Sequence, residues 1–212
     1  MLAIIDYGAG NLKSIYNACA YLGCNPTIVK DAEALSGASR VILPGVGNFG
    51  DAISKLSSID GFPGAIREKV SAGVPFLGIC LGIQIIFEKS EESPASVGLG
   101  IFKGSCRRLE DKYTGDNGEI TSLKIPHIGW NNLKILNNNS KILMDITSND
   151  YFYFVHSYYA SPAERDIVCA VTPYGIEFPS VIERENIFAV QFHPERSGKC
   201  GLKLLKNFLD YN

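Results

Sequence analysis

A short apolar run that changes into a helical pattern at a glycine-flanked cysteine limits the possible folds of this chain most strongly. Residues 76–79 form an apolar run with the length of a buried strand. Residues 83–87 then place their apolar side chains at helical spacing. Cys80 lies where the pattern changes, and Gly78 and Gly82 flank it two residues to either side. The pattern predicts a nucleophile elbow, the tight strand-to-helix turn of α/β enzymes, with a cysteine as the nucleophile.

An elbow of this kind suits a thiol nucleophile. The strained turn holds the thiol out of the fold, and only glycines let the chain pack that tightly. The N-terminus of the following helix favours the thiolate, and the N–H of Leu81 is placed to donate to an oxyanion. A buried structural cysteine is the commoner role of a free thiol, so Cys80 alone leaves both interpretations open.

The first half of the chain alternates strand and helix patterns, which predicts an α/β fold with a mostly parallel sheet. We expect strands at residues 2–6, 26–29 and 40–43, and helices at residues 12–22, 51–56 and 62–72. Gly8 and Gly10 follow the first strand, but Lys13 occupies the position of the third glycine of a dinucleotide-binding loop. The pattern therefore favours an ordinary turn over a nucleotide site.

A glycine-rich segment at residues 44–50 follows the third predicted strand. Its glycines indicate a backbone that must approach another group closely, and ligands bind at the carboxyl edge of parallel sheets. We expect a main-chain N–H near Val46 or Gly47 to act as a second oxyanion donor. An ordinary glycine turn is the alternative.

The second half of the chain is rich in strand patterns. Residues 97–136 show short alternating runs, which predicts a β-rich insertion within a single domain of residues 1–212, with a hairpin tip at 113–118. His127 lies close to the only tryptophan, Trp130, and such a histidine is more often a packing residue than a catalytic one. We expect an aromatic strand at 151–158, further strands at 167–172, 180–184 and 187–191, and a closing helix at 198–209.

His193 and Glu195 follow the last predicted strand and are separated by Pro194. In an extended segment their side chains would point the same way, and Pro194 disfavours a helix there. A neutral histidine can accept the Cys80 proton while a carboxylate fixes its tautomer. The sequence therefore predicts a Cys-His-Glu triad in the nucleophile-first order of elbow enzymes.

Composition argues against several other classes of protein. A net charge of −2 gives no electrostatic basis for binding nucleic acid or an anionic membrane, and no apolar run approaches the ~20 residues of a membrane span. The N-terminus shows no signal peptide, and six scattered cysteines are typical of a reduced, cytoplasmic protein. The cysteines and the three histidines lack metal-ligand spacing, so we expect no metal site and no cofactor.

These motifs resemble a known enzyme family. Residues 78–84 (GICLGIQ) and 192–195 (FHPE) look like the nucleophile and base motifs of the class I (triad) glutamine amidotransferases. Four further segments look like the glutaminase subunit of imidazole glycerol phosphate synthase, an enzyme of histidine biosynthesis: residues 6–11, 44–50, 126–131 and 153–158. The sequence Pro-Gly-Val-Gly at 44–47 is the most telling, since most relatives carry Pro-Gly-Gly there. The resemblance spans nearly the whole chain and implies a three-layer, flavodoxin-like α/β fold.

The resemblance also implies roles for individual residues. Cys80 would attack the side-chain amide of L-glutamine to form a γ-glutamyl thioester, while His193 would transfer protons and Glu195 would orient His193. The oxyanion hole would consist of the N–H of Leu81 and that of Val46 or Gly47. The substrate would be bound by Gly45, Gln84, Glu92, His156, Ser157 and Tyr158. The partner interface would include Asn11, Trp130 and Tyr153.

The implied partner is a (β/α)₈-barrel cyclase subunit that forms a heterodimer with the glutaminase. Ammonia would pass to this subunit, which makes imidazole glycerol phosphate and an aminoimidazole carboxamide ribonucleotide. In the family the free glutaminase is nearly idle, and the ligand of the partner completes the oxyanion hole.

Three alternatives remain open on the sequence. Residues 107–125 look longer than the corresponding hairpin of the subfamily, which leaves room for a paralogue that delivers ammonia to another acceptor synthase, such as a sugar amidation system. A stand-alone γ-glutamyl hydrolase would reach its full rate without a partner. A non-catalytic binding module would not be expected to keep Cys80, His193 and Glu195 together.

Overall fold

Strands and helices alternate in the first half of the chain, and strands dominate the second half. The computed structural model describes residues 1–8, 10–114 and 119–211. Its strands are β1 (Leu2–Ile5), β2 (Thr27–Val29), β3 (Arg40–Gly45), β4 (Phe76–Cys80), β5 (Lys89–Ser90), β6 (Gly104–Arg108), β7 (Lys112–Thr114), β8 (Ile120–Ser122), β9 (His127–Asn132), β10 (Lys134–Ile135), β11 (Tyr151–His156), β12 (Tyr158–Pro162), β13 (Val168–Tyr174), β14 (Ile176–Arg184) and β15 (Ile187–Val190). Its helices are α1 (Leu12–Tyr21), α2 (Ala32–Ser36), α3 (Phe49–Ser58), α4 (Phe62–Ser71), α5 (Leu81–Ile85) and α6 (Gly198–Asp210), with 3₁₀ turns at Arg165–Ile167 and Pro194–Arg196.

Eight of the described strands form one central sheet in the order β10-β13-β14-β15-β4-β3-β1-β2. Four of its seven neighbouring pairs are parallel, namely β2–β1, β1–β3, β3–β4 and β4–β15. The three pairs toward β10 are antiparallel. Strands β1 and β4 are buried along their whole length, as expected for parallel strands covered on both faces. The predicted α/β fold with a mostly parallel central sheet is therefore confirmed.

Helices cover the two faces of this sheet and give the fold three layers. Alternate residues of β1 belong to two different hydrophobic clusters, because successive side chains of a strand point to opposite faces. Ala3 and Ile5 pack in the cluster that contains residues of α2, α3, α4 and α5. Leu2 and Ile4 pack in the cluster that contains residues of α1 and α6. None of the described helices is long and apolar enough to cross a membrane.

The described residues between 97 and 136 are helix-free and carry strands β6 to β10, in agreement with the predicted β-rich segment. Strand β6 lies between β5 and β12, β7 pairs with β8, and β9 pairs with β11. Strand β10 instead joins the edge of the central sheet. The predicted hairpin is present in the antiparallel pair β7–β8, while residues 115–118 of its predicted tip lie outside the described residues.

Several local predictions differ from the structure, and three of them concern elements next to the site. The helix expected at 51–56 is the longer α3, because the Asn48 side chain accepts hydrogen bonds from Gly50 N and Asp51 N and caps it earlier. The aromatic strand expected at 151–158 ends at His156, and the chain enters a different sheet at Tyr158. The helix after the elbow ends at Ile85, so Phe87 belongs to the following turn.

Close backbone packing explains the two glycines of the elbow. A Cβ on Gly82 would lie 2.1 Å from the carbonyl oxygen of Leu43 in the neighbouring strand β3. A Cβ on Gly78 would lie 2.9 Å from the backbone of Gly82 itself. Helix α5 therefore rests directly on the main chain of β3 and β4, and this contact brings the end of β3 against the elbow.

Replacing Gly82 with alanine is expected to destabilise the fold strongly. The new methyl group would overlap a backbone carbonyl that cannot rotate away, and overpacking of this kind costs about 1–3 kcal/mol or more. For a chain of this size the loss corresponds to a melting temperature lower by roughly 5 °C or more. Thermal unfolding followed by circular dichroism measures it.

Gly64→Ala is the matched control, because a Cβ on this helical glycine meets nothing within 4 Å. Alanine has the higher helix propensity, so Gly64→Ala should unfold at the wild-type temperature or slightly above it. An equal loss of stability in both variants would contradict this account of the elbow.

Candidate active site

The predicted site residues gather at the carboxyl ends of three adjacent parallel strands, β3, β4 and β15. A pocket of about 240 Å³ opens there. Ten of the predicted site residues line it: Val46, Gly47, Cys80, Leu81, Gln84, Glu92, His156, Ser157, Tyr158 and His193. Pro126 and Val155 complete the wall. Ligands of open α/β sheets bind at this edge, so the pocket is where the fold class would place a substrate.

Cys80 lies on the strained turn that its sequence context predicts. Its backbone adopts φ 55° and ψ −104°, a conformation that costs a non-glycine residue free energy and that clusters at functional sites. The side chain is buried, and its thiol donates a long hydrogen bond of 3.8 Å to Val155 O. The Nε2 amide of Gln191 approaches Sγ at 4.0 Å. Leu81 is the first residue of α5, so its N–H lies at the open end of that helix.

His193 and Glu195 form a buried pair. Nδ1 of His193 lies 2.9 Å from Oε1 of Glu195, and the two side chains are only 4% and 1% exposed. The expectation of an extended segment is wrong, because a 3₁₀ turn begins at Pro194, whose fixed φ suits the first position of a helical turn. His193 N–H donates to Tyr153 O at 2.9 Å, and Ser197 Oγ donates to His193 O at 2.6 Å. The turn is thereby fixed from two directions.

The pair assigns a tautomer to the histidine. A carboxylate only accepts hydrogen bonds, so Nδ1 of His193 carries the proton that faces Glu195. Nε2 is buried without a hydrogen-bond partner among the described residues. Burial alone would lower the pKa of His193, but Cys80 and Glu195 outweigh it and raise the pKa to about 10. His193 therefore readily holds a proton between the thiol and the carboxylate.

The segment after β3 is packed tightly beside the elbow. A Cβ on Gly45 would lie 2.5 Å from the Tyr7 hydroxyl and 2.8 Å from Leu81 Cβ. Gly45 itself is therefore enclosed in β3 and does not line the pocket. Val46 is 43% exposed and Gly47 adopts φ +100°, so the chain leaves the packed strand at this point and turns along the pocket.

One part of the pocket wall carries hydrogen-bond donors and acceptors that neighbouring residues hold in place. Gln84 Nε2 donates to Tyr158 O at 2.8 Å and to Gln191 Oε1 at 3.3 Å. Glu92 Oε2 accepts a hydrogen bond of 2.7 Å from Phe49 N, at the N-terminus of α3. Ser157 lies at the bend between β11 and β12. A carboxylate and an amide oxygen in one pocket can bind the ammonium and amide groups of an amino acid.

Sequence reasoning gave no role at the site to three buried polar residues beside the pocket. Tyr7 has a hydroxyl without a hydrogen-bond partner among the described residues, and burial followed by the proximity of Cys80 raises its pKa above its usual range. Gln191 bridges Gln84 and Cys80. His127 contacts His156. The only signal was their position within or beside apolar strands, where a polar side chain needs a partner.

Asn11, Trp130 and Tyr153 lie around the same edge. Trp130 is 56% exposed and faces Tyr153 across the β9–β11 pair, with ring centroids 6.0 Å apart. Asn11 precedes α1 and lines a small crevice with Val46, His193 and other residues. Among the described residues, no group of three or more His, Cys, Asp or Glu side chains is arranged to hold a metal ion.

Comparison with known proteins assigns this arrangement to a family. The sequence model of the class I glutamine amidotransferases matches residues 3–211. The chain belongs to this family of enzymes. Two solved structures share its fold: a glutamine amidotransferase with a TM-score of 0.74 at 18% identity, covering 98% of this chain and 97% of the other, and PurLQS from Thermotoga maritima with a TM-score of 0.72 at 19% identity, covering 99% and 97%.

Several curated proteins are much closer in sequence, and each is named as imidazole glycerol phosphate synthase subunit HisH or, for the first of them, HisH 1. The protein of Methanococcus maripaludis is 44% identical, with 99% of each chain covered. That of Caldanaerobacter subterraneus is 48% identical, with 98% of this chain and 97% of the relative covered. That of Methanocaldococcus jannaschii is 47% identical, with 99% of each covered.

Substituting Glu195 with glutamine is expected to lower the pKa of His193 from about 10 toward its ordinary value of 6.5. A raised histidine pKa contributes stability that is complete below the unfolded pKa and is lost as pH rises through the folded pKa. The stability difference between wild type and Glu195→Gln should therefore be largest below about pH 6.5 and shrink toward pH 10. Histidine ¹⁵N shifts and denaturant unfolding across this range measure both effects.

Glu164→Gln provides the control for this substitution, since Glu164 pairs with Arg184 on the surface. It should leave the His193 titration unchanged. A His193 titration that is the same in wild type and Glu195→Gln would contradict the assigned pair.

Proposed function

We propose that this chain is the glutaminase subunit of an imidazole glycerol phosphate synthase, which hydrolyses L-glutamine and delivers ammonia to a cyclase subunit. The observation that supports it best is the meeting of Cys80, His193 and Glu195 at one pocket, in a chain that is 44–48% identical over its length to proteins of that name. The proposal also includes a cyclase subunit as the partner and a cytoplasmic location of the protein.

The first step uses the thiol and the histidine. The proton of the Cys80 thiol first passes to Nε2 of His193, which has no competing hydrogen bond and whose pKa is raised to about 10. The resulting thiolate then attacks the side-chain carbonyl carbon of glutamine. The tetrahedral intermediate then breaks its C–N bond as His193 returns that proton to the leaving nitrogen. Ammonia leaves and a γ-glutamyl thioester remains on Cys80. Glu195 stabilises the imidazolium through Nδ1.

Water completes the cycle through the same groups. His193 Nε2 accepts a proton from the water that attacks the thioester carbonyl, and then protonates the departing Cys80 sulfur. Glutamate is released and the thiol is restored. In both halves the negative carbonyl oxygen requires donors, which we assign to the N–H of Leu81 and to the N–H of Val46 or Gly47.

Substrate selection rests on the opposite wall of the pocket. We assign the α-ammonium group of glutamine to Glu92, whose Oε1 is not used by the Phe49 N–H. Gln84, Ser157 and Tyr158 line the same wall and would fix the extended side chain of the substrate. His156 supports this wall, and Gly45 supports the oxyanion segment by close packing.

The partner would dock on the exposed aromatic face beside the site. Trp130 presents more than half of its surface, and large aromatic side chains are the commonest anchors of protein interfaces. Its cross-strand neighbour Tyr153 accepts the His193 N–H, so the proposed interface adjoins the catalytic base. Ammonia released there would reach the partner without crossing bulk solvent.

Cys80→Ala should lose at least 90% of glutamine hydrolysis, because triad members act as a unit. Glutamate formation is measured for the chain alone and then with the cyclase subunit and its nucleotide ligand. Cys24→Ala, at a partly exposed cysteine away from the pocket, should retain wild-type activity. A glutamine-like chloroketone should add its mass to Cys80 in wild type and to no site in Cys80→Ala.

Each other result has a definite meaning. Full activity in Cys80→Ala would end the covalent mechanism. A high rate without any partner would favour a stand-alone hydrolase. No glutamate formation in the presence of the cyclase, together with chloroketone labelling of Cys80, would indicate a different ammonia acceptor.

Trp130→Ala should weaken binding of the cyclase subunit at least tenfold while leaving the melting temperature within about 2 °C of wild type, since central aromatic anchors are worth about 2 kcal/mol or more. Calorimetric titration measures the affinity. Tyr21→Ala is the control: this tyrosine is 79% exposed at the end of α1 distant from Asn11, about 15 Å along the helix. Equal affinities of wild type and Trp130→Ala for the cyclase subunit would show that Trp130 does not contribute to the interface.

A further inference from the structure

Two buried histidines at the pocket take no part in the proton transfers described so far. His127 in β9 and His156 in β11 are direct cross-strand partners. They are 3% and 6% exposed. Nδ1 of His127 lies 3.1 Å from Nε2 of His156, so the two rings are joined by a hydrogen bond.

The tautomer of His156 follows from its other nitrogen. Nδ1 lies 3.0 Å from Tyr158 O, and a carbonyl oxygen only accepts, so Nδ1 carries a proton. Burial, then His127, lowers the pKa of His156 to about 3, so the ring is neutral near pH 7. A neutral ring protonated on Nδ1 has a bare Nε2, which must accept from His127.

The tautomer of His127 is fixed in turn. Its Nδ1 must donate to Nε2 of His156. Burial lowers the pKa of His127 to about 4, so this ring is neutral as well and its own Nε2 is an acceptor. The side-chain amide of Asn131 lies 3.4 Å from that nitrogen and supplies the donor.

Asn131 cannot reverse the chain by rotating its amide. Its Oδ1 accepts from Asn132 N at 2.9 Å, and its Nδ2 also donates to Pro173 O at 3.0 Å. A rotated amide would place a carbonyl oxygen against Pro173 O and an NH₂ group against a backbone N–H. The donor direction therefore runs one way, from Asn131 through His127 and His156 to Tyr158 O.

The far end of this chain of hydrogen bonds reaches the pocket. Tyr158 O also accepts from Gln84 Nε2 at 2.8 Å, and the second hydrogen of that amide faces Gln191 Oε1. Both N–H groups of Gln84 are thereby occupied by protein acceptors. Its carbonyl oxygen Oε1 is the remaining polar atom of the side chain, and Gln84 forms part of the pocket wall.

Packing holds the ring of His127 without using its nitrogens. It stacks on Phe154 and Tyr174, with centroids 5.0 and 4.0 Å apart and interplanar angles of 25° in both cases. A phenylalanine would serve the stacking equally well. The ring nitrogens of His127 are therefore needed only for the hydrogen bonds that they make with His156 and Asn131.

We propose that His127 is a positioning residue for substrate binding: it locks His156 in the Nδ1–H tautomer, which fixes the Tyr158 carbonyl and so aims the Gln84 side-chain oxygen at the glutamine substrate. The catalytic consequence rests on the proposed function, because it takes glutamine as the ligand of Gln84. The tautomers themselves do not depend on that function.

The first test is the tautomeric state of the wild-type protein. Long-range ¹H–¹⁵N correlation spectra at pH 7 report which nitrogen of each ring carries the proton, and the chain has only three histidines. His127→Asn and His156→Asn assign the signals by their loss. We expect Nδ1–H and bare Nε2 for both His127 and His156. An Nε2–H form of either ring overturns the proposal.

The second test compares two amide side chains at position 127. In His127→Asn the amide nitrogen stands where Nδ1 stood and can still donate to His156, whereas His127→Gln places the same group at the distance of Nε2. The KM for glutamine, measured with the cyclase subunit and its ligand, should rise about fivefold in His127→Gln and in His127→Phe, the effect of one lost hydrogen bond. It should stay within about twofold of wild type in His127→Asn.

The kcat should change less than twofold in all three variants, because a contact made equally in ground and transition states alters KM alone. His156 should keep the Nδ1–H form in His127→Asn and lose it in His127→Gln. Equal KM values in the asparagine and glutamine variants overturn the proposal, even if both fold normally by circular dichroism. If wild-type protein hydrolyses no glutamine in the presence of the cyclase, the proposed function is refuted instead. The ¹⁵N spectra alone then decide whether His127 and His156 have the proposed tautomers.

Discussion

The direct contact between helix α5 and the main chain of β3 determines the geometry of the site. Gly82 approaches the Leu43 carbonyl so closely that no side chain fits between them. That approach fixes Cys80 at the end of β4, at the N-terminus of a helix, and sets Leu81 against Gly45 at the end of β3. The thiol and the two proposed oxyanion donors thus derive their relative positions from one backbone contact, which side-chain rotation cannot loosen.

Three histidines border or support one pocket, and their surroundings give them opposite charge preferences. His193 has a carboxylate on one side and a thiol on the other, and both raise its pKa against the effect of burial. His127 and His156 have uncharged hydrogen-bond partners, and burial lowers the pKa values of both. His127 and His193 lower the pKa of His156 further. A residue of the same type is therefore a proton carrier beside Glu195 and a neutral donor–acceptor beside Tyr158. The ionic partner, and not the depth of burial, separates the two roles.

The sequence was sufficient for those features that depend on local pattern. The elbow at Cys80 and the pairing of His193 with Glu195 depend on residues at most a few positions apart, and their spacing limits the geometry. The extended shape expected for residues 193–195 was wrong because Pro194 starts a 3₁₀ turn as readily as it continues a strand. The contact of His127 with His156 depends on the register between β9 and β11, since the two residues are 29 positions apart in the chain. The position of Tyr7 against Gly45 depends on the packing of β1 beside β3. The aromatic pattern of residues 151–158 does not determine which strand pairs with it, or in which register.

Strand β11 connects the proposed partner surface to the catalytic base, the nucleophile and the substrate wall. Tyr153 O receives the N–H of His193, Val155 O receives the thiol of Cys80, and His156 supports Tyr158 and Gln84. These three contacts lie on alternate residues or at the end of one strand, whose only described sheet partner is β9 with its exposed Trp130. A protein bound on Trp130 would therefore adjoin a strand that contacts the base, the nucleophile and the substrate wall.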